Sequence, residues 1–272
     1  MASPTTNLVI VHDVLGTLFG LSRPIEALRS HFDDQLGGAS TPDVVKQRHA
    51  DLIIMDWYHC GMRDFTNLSI NGAYKPIGEC FKAALHRVLL MAGLVPPKGL
   101  DGRGRPQAGP ASEEELAQIK KAAATGGPTF EAEARDIFGT LSTLEPRPGM
   151  VEAFTKLYRD PSKLPSSVEN VALWGATNGS LALAGKLFEG ALSSSGLSTQ
   201  SHQKPEAGSR SLGTNLGLWS CDEIRVAKPD PRVYQELLKK VREGLDESSD
   251  KKTSLWFVAS HTWDTDAAKR AG

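Results

Sequence analysis

The hydrophobic pattern of this chain changes character near residue 145. Before it stands one apolar run of strand type, Leu8-Val9-Ile10-Val11, followed by His12-Asp13 and a turn through Gly16-Thr17. A short continuous apolar run with a turn behind it predicts a buried strand that delivers Asp13 to its carboxyl end, the edge where open parallel sheets bind ligands. Residues 20 to about 145 then read as helices and loops. Helices are predicted over Arg23 to Phe32 and, after the Thr41-Pro42-Asp43 start, over Lys46 to Phe65, with Val44, Val45, Leu52, Ile53, Met55 and Trp57 as its apolar positions. Asn67 to Tyr74 reads as a loop, and Pro76 to Leu94 as a helix with Ile77, Phe81, Leu85, Val88 and Leu89 on its apolar side. Pro96 to Pro110 is a Gly/Pro/Arg-rich loop. Ser112 caps a helix running to about Ala124, and shorter helices cover Thr129 to Leu141 and Met150 to Tyr158.

From there strands and helices alternate. Val168 to Trp174 is a strand that ends in Gly175-Ala176-Thr177-Asn178-Gly179-Ser180 before the helix Leu181 to Phe188. Trp219 to Val226 leads to Ala227-Lys228-Pro229-Asp230 and a helix running to Gly244, and Thr253 to Val258 is a strand ending in Ala259 to Asp266 before an Ala-rich helix. Ser193 to Gly217, rich in Ser, Gly and Gln with a lone His202, reads as a flexible surface insertion, and Asp246 to Lys252 as a charged connection. This alternation predicts an α/β core with a parallel sheet and helices on both faces. The first strand must join that sheet, so 1–20 and 146–272 form the core and 21–145 an inserted helical cap, with a pocket between cap and sheet.

Composition narrows the partners. In 272 residues, 31 basic and 32 acidic side chains nearly cancel, which leaves no global basic field for nucleic acid and no polybasic stretch for a membrane. A small, neutral or modestly anionic molecule is the expected partner. Cys60, Cys80 and Cys221 are odd in number, widely spaced and without a metal-ligand pattern, so they read as buried or incidental thiols of a reducing compartment. The N-terminal apolar run is too short for a signal or a membrane span, and a cytoplasmic location is expected.

Four strand ends bring chemistry to one edge: Asp13, Thr177 with Asn178, Lys228, and Ser260 to Asp264. Two carboxylates, a hydroxyl with an amide, and an amine suit a nucleophilic site better than a cofactor cradle. Singly, each has a plainer reading. Asp13, Asp264 and the pair Thr177 and Asn178 can cap the turns or helices that follow, and a lysine before proline is ordinarily solvated. Trp57 and Trp263 read as core, and His49, His59 and His86 as structural or surface residues.

Taken together and in order, these segments resemble the motifs of the haloacid dehalogenase superfamily: Asp13-Val14-Leu15-Gly16-Thr17, then Thr177-Asn178-Gly179, Lys228-Pro229-Asp230-Pro231 with Tyr234, and Ser260-His261-Thr262-Trp263-Asp264. The resemblance spans most of the chain and implies a Rossmann-like doubly wound parallel sheet with an inserted α-helical cap. Phosphatases of that superfamily carry a second Asp two residues after the nucleophile and an acidic residue in the fourth motif that helps hold magnesium. Here Leu15 stands at the first place, and Ser260 to Trp263 contain no acid. A halide leaves without a proton, so the 2-haloacid dehalogenase branch, which uses no metal or cofactor, fits that absence. The resemblance then implies that Asp13 attacks a substrate carbon to form an aspartyl ester and that Lys228 keeps Asp13 ionised. Thr177 and Asn178 bind a substrate carboxylate or line the leaving-group pocket. Asp264 with His261 positions the hydrolytic water, Thr17 and Tyr234 orient Asp13 and Lys228, and Ser260 joins the substrate site.

Departures from the pattern keep alternatives open. The branch places an arginine, followed by a glutamine, on the first long cap helix to bind the departing halide; Lys46-Gln47 stands there, with Arg48 as the alternative. Leu15 replaces an aromatic and Ala259 a serine. A hydrolase of another activated carbon, a phosphatase using Mg²⁺, and a catalytically silent binding protein are the competing readings. The family pattern also continues beyond the last helix into a further strand, so a sheet ending near Gly272 has an uncovered apolar edge, which lowers stability or favours a homodimer.

Overall fold

The computed structural model describes residues 6–97, 109–125, 130–159, 168–193, 198–200, 215–243 and 252–272. Two compact units make up the chain: Met1–Gly20 with Leu68–Tyr74 and Glu145–Gly272, and Leu21–Asn67 with Lys75–Leu144.

The first unit is built on five parallel strands, β1 (Thr6–Asp13), β2 (Val168–Thr177), β3 (Ser198–Gln200), β4 (Asn215–Ser220) and β5 (Lys252–Val258), in the order β3-β4-β2-β1-β5. The chain leaves β1 for β2 on one side and returns to it through β5 on the other, which creates the crevice where such sheets bind ligands. Register sets the strand ends level: Asp13 pairs with Ala176, Thr177 with Ser220, and His12 with Val258. Alternate residues of β1 serve opposite faces. Val9 and Val11 are fully buried and join Trp174, Trp219, Cys221, Tyr234 and Leu237 in a core built with α8 (Pro231–Glu243). His12 meets Phe154 of α6 (Met150–Arg159), which in turn meets Phe188 of α7 (Leu181–Leu192). A final helix, α9 (Thr262–Ala271), follows β5.

The reading of 193–217 as a flexible insertion is corrected at two places, while 194–197 and 201–214 lie outside the described residues. Within 193–217, Ser198–Gln200 is β3, and the strand that precedes the Lys228 loop spans Asn215–Ser220, so it begins inside the stretch read as an insertion. Gly217 interrupts its apolar pattern for a packing reason: a Cβ there would lie 2.4 Å from the indole of Trp174. His202, most of the loop expected over 96–110, and most of the charged connection over 246–252 lie outside the described residues.

The second unit contains α1 (Ser22–Phe32), all but the last turn of the long α2 (Asp43–Ile70), α3 (Ile77–Met91), α4 (Glu113–Ala124) and α5 (Glu131–Gly139). Ser112 and Glu115 form the capping box that opens α4. The buried stripe of α2 is Ala50, Ile54, Trp57, Tyr58, Gly61 and Phe65, whose spacing follows one helical face. Val44, Val45, Leu52 and Met55, expected to be apolar contacts, are exposed. Gly61 lets α3 approach, since a Cβ there would lie 2.2 Å from the Phe81 ring, while Trp57 donates to the Phe81 carbonyl at 2.8 Å. Among the described residues no helix is long and apolar enough to cross a membrane.

Candidate active site

The turn after β1 is shaped by Gly16, whose φ of 83° lies in the left-handed region that glycine enters without steric cost. Arg147 fixes this turn by donating to the Gly16 carbonyl from Nε at 3.1 Å and Nη2 at 2.9 Å. The turn brings Thr17 back onto the strand end, where its hydroxyl donates to Asp13 Oδ2 at 2.7 Å and accepts the Ser260 N–H at 2.9 Å. One threonine thus ties the end of β1 to the loop after β5.

Lys228 occupies the centre of the site. Its side chain is fully buried, and Nζ donates to Asp13 Oδ1 at 2.9 Å, Asp264 Oδ2 at 3.0 Å and the Ala176 carbonyl at 3.0 Å. Burial alone would lower the lysine pKa, but the carboxylates of Asp13 and Asp264 outweigh it and hold the ammonium above its ordinary range. Asp264 is also fully buried; burial pushes its carboxyl up, against the pull of Lys228. Its other oxygen accepts from Tyr234 at 2.5 Å, and burial together with Asp264 keeps that phenol protonated. Each oxygen of Asp264 thus has a buried donor, Lys228 on one and Tyr234 on the other. His261 occupies the N-cap position of α9, so Asp264 is not its cap.

The end of β2 has a different task from capping. Ser180 caps α7 by accepting the Leu183 N–H, which overturns the reading of Thr177 and Asn178 as the cap. Thr177 is buried and accepts the Gly179 N–H at 2.9 Å. Asn178 reaches across to accept the Lys228 N–H through Oδ1 at 3.1 Å, and so fastens the lysine loop. Ser220, which the sequence analysis did not single out, donates to the Gly179 carbonyl at 2.7 Å and stiffens the same turn.

Beyond β5, Ser260 Oγ lies 3.2 Å from both Thr17 Oγ1 and His261 Nδ1. The His261 ring stacks on Trp263 with centroids 5.4 Å apart. Trp263 is 38% exposed, so the reading of this residue as core is corrected; its place in the first turn of α9 turns it outward. Trp57 is core.

Lys46 belongs to the second unit, where Nζ binds Asp33 Oδ2 at 2.9 Å. Arg29 joins the same cluster through Asp33, Asp43 and Gln47, and Lys46 with Arg29 holds the Asp33 carboxyl below the usual range. The charge of Lys46 is balanced within α1 and α2.

All three cysteines are buried and free, and burial pushes the Cys221 thiol up to about 12, which keeps it from acting as a nucleophile. Among the described residues no group of three His, Cys, Asp or Glu side chains is placed to hold a metal ion. The cation lying between Asp13 and Asp264 is the Lys228 ammonium.

His12, next to the candidate nucleophile, is 9% exposed, and its Nδ1 has no hydrogen-bond partner among the described residues. Burial lowers its pKa. A depressed histidine contributes stability above the unfolded value of about 6.5 and loses it as pH falls through the folded value, because the unfolded chain takes up the proton first. Replacing His12 by phenylalanine, which keeps an aromatic ring beside Phe154, is expected to flatten the fall in stability between about pH 7 and 5. Urea melts across that range check it.

No family model and no curated protein matches the chain. Solved structures do. A structure described as a dehalogenase is 17% identical with a TM-score of 0.57, the match covering 100% of this chain and 83% of that one. The L-2-haloacid dehalogenase of Xanthobacter autotrophicus is 18% identical with a TM-score of 0.53, covering 97% and 74%. The same enzyme with chloropropionic acid covalently bound is 17% identical with a TM-score of 0.54, covering 98% and 75%. At this identity the likeness is one of fold: the α/β sheet described above is the fold of the haloacid dehalogenases.

Proposed function

We propose that this chain, with the fold of the haloacid dehalogenases as its starting point, is a hydrolase that cleaves the carbon–halogen bond of a small 2-haloacid through an ester of Asp13. The observation that carries the reading is the fully buried ammonium of Lys228 set between Asp13 and Asp264. An ionised carboxylate at a strand end needs such a partner, and a carboxylate so held is the nucleophile this reaction requires. A halide departs without a proton, so the apolar Leu15 two residues after Asp13 is no obstacle. The site is assigned no metal or cofactor, and its substrate is a small molecule.

In this reading Asp13 attacks the halogen-bearing carbon and the halide leaves with the bonding pair. Water then attacks the carbonyl carbon of the Asp13 ester, and the bond from that carbon to the product oxygen breaks. One water proton passes by way of His261 to that oxygen and the other to solvent, releasing the 2-hydroxyacid and restoring the Asp13 carboxylate. Lys228 offsets the charge at Asp13 in both steps. Both oxygens of Asp264 are engaged, so its role is to hold Lys228 with the help of Tyr234. The hydrolytic water falls to Ser260 and His261, which Thr17 links to the nucleophile. Thr177 and Asn178 shape the β2 edge of the site.

Halide release from 2-chloropropionate, followed beside esters and phosphate esters, tests the proposal. Chloride is the expected product; magnesium-dependent phosphate release instead would make the chain a phosphatase. His261→Gln is expected to slow opening of the ester by about 10²-fold or more, the usual contribution of a proton-transfer group. The protein should then accumulate the Asp13 ester, visible by intact mass, after alkylation at the unaltered rate.

A further inference from the structure

The loop that carries Lys228 is gripped by a piece of chain to which none of the motif residues belongs. Leu68–Tyr74, the last turn of α2 and the loop after it, groups with the sheet unit, although the rest of α2 belongs to the helical one. Ser69 Oγ accepts the Ala227 N–H at 2.9 Å, one residue before Lys228. Tyr74 donates its hydroxyl proton to Asp222 Oδ1 at 2.5 Å, and the Arg225 guanidinium lies 6.0 Å from the centre of the Tyr74 ring. Arg225 has φ 56°, a left-handed conformation that a residue with a Cβ adopts at a steric cost, so something must hold it there. Two adjacent amides thus have side-chain anchors from distant parts of the chain, Ala227 from Ser69 and Lys228 from Asn178. The Lys228 ammonium has to reach three acceptors at 2.9–3.0 Å, and a loop shift on the order of half an ångström or more would weaken or break that set.

We propose that Ser69 and Tyr74 are positioning residues for Lys228: they clamp Asp222 to Ala227 so that the ammonium is delivered to Asp13 and Asp264. This rests on the reading of Lys228 as the partner of a nucleophilic Asp13. Ser69 bonds to Ala227 and Tyr74 to Asp222, so their loss acts on the chemical step through the lysine loop.

The test is the single-turnover rate at which 2-chloropropionate alkylates Asp13, read by mass spectrometry of the Asp13 peptide, together with steady-state kinetics. Ser69→Ala and Tyr74→Phe are each expected to slow alkylation about 10- to 100-fold, within the range that misplacement of a reacting group costs. The same loss should appear in kcat with KM unchanged, and Ser69→Thr, which keeps the hydroxyl, should retain the wild-type rate. Hydrogen exchange gives a readout that needs no substrate: the Ala227 amide should exchange faster in Ser69→Ala. Wild-type alkylation rates in both Ser69→Ala and Tyr74→Phe would overturn the proposal alone, as would a loss carried by KM. Absence of alkylation in the wild-type protein would overturn the nucleophile reading and this proposal with it.

Discussion

Replacing Lys228 by methionine is expected to destabilise the fold by about 3–5 kcal/mol and to abolish turnover. Methionine fills a similar volume but leaves Asp13 and Asp264 facing one another, both at least nine-tenths buried and without a cation. Removing one member of a buried ionic cluster exposes the desolvation cost of those that remain, which exceeds what the intact cluster contributes. The deficit should shrink on acidification, because a proton taken up by one carboxylate restores the balance that the ammonium maintained. Denaturant melts at neutral and mildly acidic pH measure both effects. A variant as stable as the wild type at neutral pH would mean that the two carboxylates do not depend on Lys228.

Asp13→Asn separates stability from chemistry. The amide keeps the shape of the side chain, and Lys228 retains its ion pair with Asp264 at 3.0 Å, so the fold is expected to be as stable or slightly more so. Two buried carboxylates share one ammonium in the wild type, and removing one charge leaves a matched pair. Activity should fall by a factor on the order of 10⁴ to 10⁶, the scale seen when a nucleophile is deleted from a site whose parts act as a unit. Parallel melts and turnover assays check the opposite signs. A stable Asp13→Asn protein with intact turnover would remove Asp13 from the reaction.

The parts of this site that are legible in the sequence are those whose signals are local. Asp13, Thr177, Lys228 and Asp264 each follow an apolar run or a turn, and their order along the chain is enough to put them on one edge. What escaped depends on partners far away in the chain. Gly217 breaks the pattern of β4 because the Trp174 indole lies over it. Ser69 and Tyr74 sit where the sequence suggests only a loop, and their bonds span 158 and 148 residues. The buried face of α2 differs from its apolar pattern for a related reason: Val44, Leu52 and Met55 are apolar but exposed, while the small Ala50 and Gly61 pack inside. Composition identifies apolar side chains, but only the neighbouring helix decides which of them it covers. The sequence points to Asp264 as a group that positions water; that Lys228 and Tyr234 donate to its two oxygens shows only in the geometry.

The central claim is that the reaction passes through an ester of Asp13, and a single turnover in heavy-oxygen water tests it most directly. With enzyme in excess over 2-chloropropionate, water attacks the ester at the Asp13 carbonyl, so the heavy oxygen should be found in the Asp13 peptide and the first product should carry none. Label in the product, with none in Asp13, would contradict the account.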